Sequence, residues 1–139
     1  MQRTLAILKP DSVAAGNAGR ILAHLEAEGF RIVAIRKMYL SIEQAQAFYE
    51  VHRERPFYDS LVEFMTGGPI MPLALEREDA VPYLRQVMGA TNPDEADEGT
   101  IRKLFATSIE TNAIHGSDSP ENASEELRFF FSRADLIAS

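Results

Sequence analysis

The sequence predicts an α+β fold with split βαβ topology, in which helices cover one face of a mainly antiparallel, four-stranded sheet. Segments with strand and helix patterns alternate along the chain, and a short extended segment before the last helix supplies the fourth strand. No internal repeat or low-complexity linker interrupts this order. With 139 residues, 45% of them hydrophobic, the chain has the size of one domain spanning residues 1–139.

The first strand, helix and strand of the fold are predicted from three segments. Arg3–Lys9 alternates in polarity and stops at a proline, which predicts a strand with Lys9 at its end. Gly19–Glu28 has apolar residues at helical spacing, and Gly29 is suited to end that helix. Arg31–Leu40 is rich in β-branched and long apolar residues and is predicted to be the second strand.

The middle of the chain predicts two helices and a third strand. Ser41 followed by Gln44 forms the pattern of a capping box at the start of a helix that ends before the next proline. Residues 57–66 then predict another short helix. Residues 70–76 predict a strand, but Pro72 inside it implies an edge position or a bulge.

The last third begins with a helix that Asp79 can cap and that Gly89 terminates. Residues 90–99 are polar and predict an exposed loop leading into a turn of helix over residues 100–105. Ser119-Pro120 predicts the start of the final helix, because proline is tolerated at the first helical position.

Composition excludes several function classes. The formal charge of −7 argues against general binding to nucleic acids or anionic membranes, although a few cations can still converge on a small anionic ligand. The chain has no cysteine, so disulfides and thiolate metal sites are excluded. No apolar run is long enough for a signal-peptide core or a membrane span, so we expect a soluble cytoplasmic protein.

The segment Asn112–Ser119 contains the candidate nucleophile, His115. A neutral imidazole nitrogen can attack an electron-poor centre without a separate base. Gly116 allows the backbone to approach closely, and the polar residues Ser117 and Asp118 can orient the ring. Taken alone, the same segment fits a surface turn that carries an ordinary histidine.

Five segments, taken together and in this order, carry a resemblance to a known family: Lys9-Pro10-Asp11, Arg55-Pro56-Phe57, Gly89-Ala90-Thr91-Asn92-Pro93, Gly99-Thr100-Ile101-Arg102 and Asn112 to Ser119. Over essentially its whole length, the chain resembles small, single-domain nucleoside diphosphate kinases. This resemblance implies a ferredoxin-like fold and Mg2+-dependent, ping-pong exchange of a terminal phosphoryl group between nucleoside triphosphates and diphosphates. It also implies a phosphohistidine intermediate and a homo-oligomer.

The resemblance implies catalytic roles for five residues: His115, Lys9, Tyr49, Glu126 and Ser117. His115 would attack the γ-phosphorus of the donor through Nδ1. Glu126 would hold the ring, with the Ser117 hydroxyl beside that carboxylate. The Tyr49 hydroxyl would lie near the reactive group and bond Lys9 or a ring nitrogen. From the residues alone, Glu126 also fits a solvated helix charge, and Tyr49 also fits an aromatic at the edge of the core.

The resemblance also implies a nucleotide-binding set that contacts the phosphates, the sugar and the base. The phosphate contacts are Lys9, Arg85, Thr91 and Arg102, the sugar contact is Asn112, and the stacking aromatic is Phe57. Guanidinium groups suit phosphate because their donors form a planar fork. Without the resemblance, the two arginines fit solvated helix positions and Phe57 fits the core.

Mg2+ would bridge the donor phosphates, with Asp118 touching metal-bound water, although Asp118 also fits a helix cap. There is no Walker-type phosphate loop, so phosphate binding must come from separate elements. Lys103-Leu104 and Pro72 depart from the family pattern at positions that concern loop packing and subunit contacts. The competing hypothesis is a non-catalytic nucleotide-binding or regulatory module on the same fold.

Overall fold

One antiparallel sheet organises the computed structural model, which describes residues 1–137. Its strands in these residues are β1 (Gln2–Leu8), β2 (Arg31–Ile35), β3 (Met71–Arg77) and β4 (Ile114–Gly116). Their order across the sheet is β2-β3-β1-β4, so β3 lies between β1 and β2, and β1 lies between β3 and β4. Each half of the chain is therefore a split βαβ unit, and the predicted α+β class is confirmed.

The α-helices of the described residues are α1 (Pro10–Ala14), α2 (Ala18–Ala27), α3 (Ile42–Phe48), α4 (Tyr58–Thr66), α5 (Ala80–Met88), α6 (Ile101–Phe105) and α7 (Pro120–Phe130). Two short 3-10 helices cover Glu50–His52 and Pro93–Glu95. The sequence predicts α2 to α7 but not α1, and the helix predicted to run from Ser41 to before Pro56 is divided into the shorter α3 and the 3-10 helix Glu50–His52. Pro10, which the sequence predicts to end β1, also occupies the first position of α1, where its missing N–H costs nothing.

Helices cover both faces of the sheet, so the expectation that only one face is covered is wrong. Leu5 and Ile7 of β1 lie in a core cluster with residues of α3, α4 and α7. Ala6 and Leu8 face the other way, into a cluster with residues of α2, α5 and α6. The four consecutive apolar residues of β1 explain this, because a strand buried on both faces needs apolar side chains at every position.

Helix starts follow local signals in some places and a distant residue in another. The capping box of Ser41 and Gln44 is present as predicted, and the Ser119 hydroxyl accepts a bond from the backbone of α7. Asp79 precedes α5, but its side chain makes no capping hydrogen bond. The Gln2 side chain accepts from the Val81 N–H instead, at 2.8 Å, so the predicted Asp79 cap is wrong.

The expectation that Pro72 marks an edge strand or a bulge is wrong, because β3 is an inner strand and the irregularity lies in β2, between Ile32 and Ala34. The Pro72 carbonyl accepts from Arg36 N at 3.1 Å, on the side of β2. In an antiparallel strand the N and the C=O of one residue point the same way. The N–H that Pro72 lacks would therefore face the position just after the end of β2. The predicted strand continues to Leu40, but β2 ends at Ile35.

None of the helices in residues 1–137 combines the length and the apolar character that crossing a membrane requires.

Candidate active site

His115 is the middle residue of β4 and lies opposite Ile7 of β1. Cross-strand partners share a face, so the imidazole lies on the face covered by α3, α4 and α7. Its side chain is 21% exposed and lines a cavity of about 490 Å³. The Phe48 ring packs against the imidazole, with the ring centroids 5.6 Å apart. The candidate nucleophile is thus partly buried and open to a cavity.

Glu126 holds the imidazole from α7. Its Oε1 is 2.9 Å from His115 Nε2 and accepts a second bond, of 2.6 Å, from the fully buried Ser117 hydroxyl. An ionised carboxylate can only accept hydrogen bonds, so Nε2 carries the proton in this contact. In the neutral ring, Nδ1 then has a free lone pair, and Nδ1 makes no hydrogen bond within residues 1–137. The interpretation of Glu126 as a solvated helix charge is wrong.

Lys9 follows β1 directly and is nearly buried, at 8% exposure. Its Nζ donates to Asn112 Oδ1 at 2.8 Å, and the Asn112 amide donates to the Thr91 carbonyl at 3.4 Å. Burial, reinforced by the positive charge of Arg102, lowers the pKa of Lys9 from 10.5 to about 8. Lys9 and Thr91 both line the cavity beside His115.

Arg102 of α6 is held by backbone carbonyls. Its guanidinium donates to the carbonyls of Asn112 at 3.3 Å, Gly89 at 3.0 Å and Ile114 at 2.8 Å. It is 6% exposed, so the solvated-helix alternative is wrong for this residue. Burial, together with the nearby charge of Arg85, lowers the pKa of Arg102 to about 10, which leaves it charged at neutral pH. Since guanidinium has five N–H donors, two remain available to a ligand in the cavity.

Arg85 of α5 lines the same cavity but is exposed and has a single long bond, of 3.4 Å, to the Gly116 carbonyl. It is therefore much freer to move than Arg102.

The turn before β4 has a conformation that the sequence did not reveal. Ala113 has φ +77°, and Ile114 N donates to Asn112 O at 2.9 Å, which closes a three-residue γ-turn. Asp11 and Ser12, at the start of α1, both hydrogen-bond the backbone of Ala113. The sequence places Asp11 in the Lys9-Pro10-Asp11 motif but indicates no role for it. The only signal for a role was its position two residues after Lys9.

Gly116 keeps β4 close to α5. A methyl group at this position would lie 2.7 Å from Met88 Sδ and 3.0 Å from Leu84 Cδ2, both in the buried core. Such distances require the helix side chains to shift, so the absence of a side chain at Gly116 sets the distance between the strand of His115 and the helix of Arg85.

Tyr49 lies at the end of α3, with its ring centroid 6.5 Å from that of His115. It is 5% exposed, and its hydroxyl has no hydrogen-bond partner within the described residues. Neither of the expected bonds, to Lys9 or to a ring nitrogen, is present. Burial, with the negative charge of Glu126, raises the pKa of the Tyr49 hydroxyl, so it stays a neutral donor. The ring itself belongs to the core cluster of that face.

Phe57 precedes α4 and is 46% exposed, so the alternative that it belongs to the core is wrong. Its ring lies 5.6 Å from that of His52, which does line the cavity, although Phe57 itself does not. Sequence reasoning missed His52 as well as Val51 and Phe129, which also line the cavity. Their helical spacings were indistinguishable from those of core positions.

Asp118 lines the cavity from the loop before α7. The alternative that it caps this helix is wrong, since Ser119 is the cap and Asp118 accepts from the Asn122 side chain instead. Residues 1–137 contain no group of three or more acidic or histidine side chains placed to hold a metal ion. A single carboxylate is compatible with Mg2+, because this ion usually keeps several waters and is held in proteins by only one or two carboxylates.

Comparison with known proteins gives full-length matches. A family model described as nucleoside diphosphate kinase matches residues 2–136. The nucleoside diphosphate kinase of Halorhodospira halophila is 57% identical over 139 residues, which cover 100% of this chain and 98% of the relative. That of Persephonella marina is 53% identical over 137 residues, which cover 99% of this chain and 98% of the relative.

Solved structures of such enzymes share the fold. The Aquifex aeolicus nucleoside diphosphate kinase matches with a TM-score of 0.96 at 45% identity, over 98% of this chain and 99% of that one. The Halobacterium salinarum enzyme, determined in complex with CDP, matches with a TM-score of 0.94 at 36% identity, over 99% of this chain and 92% of that one. The ferredoxin-like topology implied by the resemblance is therefore confirmed.

Proposed function

Because the chain belongs to the nucleoside diphosphate kinase family and is a phosphotransferase, we propose that its reaction passes through a phosphohistidine at His115. In the first half-reaction, Nδ1 forms a bond to the γ-phosphorus of a nucleoside triphosphate. The bond from that phosphorus to the bridging oxygen breaks, and the nucleoside diphosphate leaves with the bonding electrons. A second diphosphate then takes the phosphoryl group by the reverse steps, which gives ping-pong kinetics.

The contact between His115 and Glu126 carries this proposal. It places the ring proton on Nε2, and it leaves the Nδ1 lone pair free beside the cavity. Phosphorylation of Nδ1 makes the ring more positive, and the Glu126 carboxylate stabilises that charge through the same 2.9 Å bond. The Ser117 hydroxyl keeps Glu126 Oε1 in place.

The charge on the transferring phosphoryl group would be stabilised by cations that converge on the cavity. Lys9, Arg85 and Arg102 line it together with Thr91, whose hydroxyl is a neutral donor. Phosphoryl transfer depends mainly on positioning and on electrostatic stabilisation of the peripheral oxygens, so preorganised donors are effective. Arg102 meets this requirement best, because its orientation is fixed by backbone carbonyls before any nucleotide arrives.

We propose that Mg2+ binds with the nucleotide and that Asp118 contacts it through water. When bound, Mg2+ neutralises charge on the phosphate oxygens. Asp118 is exposed at the cavity and Asn122 bonds only its Oδ1, so Oδ2 would be available to orient metal-bound water.

The rest of the nucleotide would lie towards the rim of the cavity. Phe57 is proposed to stack on the base, which fits its exposure and uses a π-face common to all bases. The Asn112 amide would contact the sugar. The unpartnered Tyr49 hydroxyl is a neutral donor close to His115, and a phosphoryl oxygen on the ring would give it an acceptor.

Labelling and chase test the proposed reaction. After incubation with γ-labelled ATP and Mg2+, we expect a base-stable, acid-labile label on His115, because a phosphoryl group on nitrogen has that lability. Adding a nucleoside diphosphate should transfer the label to it. A label that cannot be chased would indicate a nucleotide-binding or regulatory protein, and the absence of label would reject the phosphohistidine.

The lowered pKa of Lys9 leads us to expect that activity falls at alkaline pH. Because its pKa in the free enzyme is lowered to about 8, Lys9 loses its charge, and with it a phosphate contact, as the pH rises through that value. We therefore expect kcat/KM to fall above about pH 8. In the nucleotide complex, the bound phosphate favours the protonated form of Lys9, so the alkaline fall in kcat should occur at higher pH.

In the Lys9→Arg variant the side chain stays charged throughout this range, so its alkaline limb should move upward by more than one pH unit. A limb at the same pH in both proteins would show that another group controls it. The pH profiles of kcat and kcat/KM measure this directly.

We further propose that the protein is a cytoplasmic homo-oligomer with no general affinity for nucleic acids. The net charge of −7 supports the last point. The outer strand β2 and the exposed side chains Ile35 and Tyr39, at 44% and 70% exposure, offer a surface for contact between subunits.

A further inference from the structure

We infer that Asp11 and Ser12 are positioning residues, which hold the strained turn at Ala113 and thereby aim His115 at the cavity. This inference rests on the proposed role of His115 and adds two side chains on which that role depends.

The turn at Ala113 needs external support. A γ-turn with positive φ is rare and strained, and the methyl side chain of alanine makes it more costly than glycine would. Ala113 has φ +77°, and the hydrogen bond from Ile114 N to Asn112 O closes this turn at 2.9 Å. Such a conformation persists only where the surrounding structure holds it.

The segment from Lys9 to Ser12 supplies that support, and it engages every backbone polar group of Ala113. Asp11 Oδ2 accepts from the Ala113 N–H at 3.1 Å. The Ser12 hydroxyl and the Lys9 N–H both donate to the Ala113 carbonyl, at 2.8 and 3.0 Å. Ser12 is 1% exposed, so its bond is shielded from water. Asp11 Oδ1 is buried and has no partner in residues 1–137, so the bond to Ala113 is the main contact of this carboxylate with another segment.

The turn controls the site because of what lies on either side of it. Asn112, just before Ala113, accepts a hydrogen bond from the Lys9 ammonium. Strand β4 begins just after Ala113, and its second residue is His115. A change in the peptide at Ala113 therefore alters both the direction of His115 and its distance from Lys9. The rate of nucleophilic attack is sensitive to displacements of about 1 Å in the reacting group.

Asp11 could instead act through its negative charge, since Lys9 lies close enough for the two charges to interact. The two explanations separate experimentally. The Asp11→Asn variant removes the charge but keeps a side-chain oxygen that can accept from Ala113. The Ala113→Gly variant keeps the charge but makes the positive φ inexpensive, so the turn depends less on Asp11.

The experiment measures the single-turnover rate of His115 phosphorylation by Mg-ATP, the ADP dissociation constant and the melting temperature. The variants are Asp11→Ala, Asp11→Asn, Ala113→Gly and the double variant Asp11→Ala/Ala113→Gly. Asp135→Ala is the matched control, because Asp135 also accepts a backbone N–H, at 2.8 Å, but in an exposed loop near the end of the described chain.

We expect Asp11→Ala to slow phosphorylation by about tenfold to a hundredfold, the effect of losing one charged hydrogen bond that orients the reacting group. ADP affinity should change by less than about threefold, because the phosphate contacts remain. Asp11→Asn should retain most of the rate, and the loss caused by Asp11→Ala should be at least about threefold smaller in the Ala113→Gly background. Asp135→Ala should match the wild type.

An equal loss in both backgrounds, or a loss in Asp11→Asn equal to that in Asp11→Ala, would overturn the inference in favour of a charge effect. If Asp11→Ala does not fold, Ser12→Ala in the two backgrounds gives the same comparison, since Lys9 N still bonds the Ala113 carbonyl. Wild-type protein that takes no label at His115 would reject the proposed function itself. Normal labelling of both wild type and Asp11→Ala would reject only the role of Asp11.

Discussion

We expect the His115→Ala variant to lose phosphoryl exchange by roughly 10⁴-fold or more, because no other side chain can take the place of a removed nucleophile. Folding should be little affected, since the imidazole is 21% exposed and Ser117 still bonds Glu126 after its removal. ADP should still bind, because its proposed phosphate contacts remain. The measurements are steady-state exchange between ATP and a second nucleoside diphosphate, ADP binding by calorimetry and the melting temperature.

His24→Gln is the matched control for this variant. His24 lies on α2, which covers the opposite face of the sheet, so its replacement should leave exchange unchanged. Undiminished exchange in His115→Ala would reject the nucleophile. Loss of ADP binding together with exchange would show that the histidine acts by shaping the cavity.

The Arg102→Ala variant is expected to lose both activity and stability. Loss of one preorganised donor to the transition state costs roughly 10²- to 10³-fold in rate. Removing this guanidinium also leaves the carbonyls of Gly89 and Ile114 without their Arg102 donor and takes one of two donors from the carbonyl of Asn112, at a cost of about 3 kcal/mol in the free energy of unfolding. For a chain of this size, that lowers the melting temperature by about 10 °C.

Arg85→Ala separates the two effects, because Arg85 is exposed and has only one long backbone contact. It should lose activity to a similar degree, but its unfolding free energy should change by less than about 0.5 kcal/mol. Denaturant unfolding and steady-state kinetics of both variants test this contrast. Equal stability of the two would show that the carbonyl contacts of Arg102 contribute little to folding.

Features encoded by neighbouring residues could be predicted from the sequence. Helix starts are indicated by Ser41 with Gln44 and by Ser119 with Pro120, because the capping side chains lie within three residues of the backbone groups that they cap. The run of apolar residues in β1 and the apolar spacing of α5 likewise depend only on neighbouring positions. Local signals of this kind gave the order of elements and the α+β class.

Features that depend on distant partners could not be predicted. Gln2 replaces Asp79 as the capping group of α5, a contact between residues 79 positions apart. The bonds of Asp11 and Ser12 to Ala113 span more than 100 positions, and no pattern at either end indicates the other. The placing of Lys9, Arg102 and His115 around one cavity likewise rested on resemblance to the family, because spacing alone does not bring these residues together.

The tight contact at Gly116 also limits how this enzyme can evolve. A side chain added at 116 would require Met88 and Leu84 to shift, and both lie on α5, the helix that carries Arg85. The distance between β4 and α5 at the cavity therefore depends on the size of a single residue. A larger residue at 116 would therefore need compensating changes at 84 and 88.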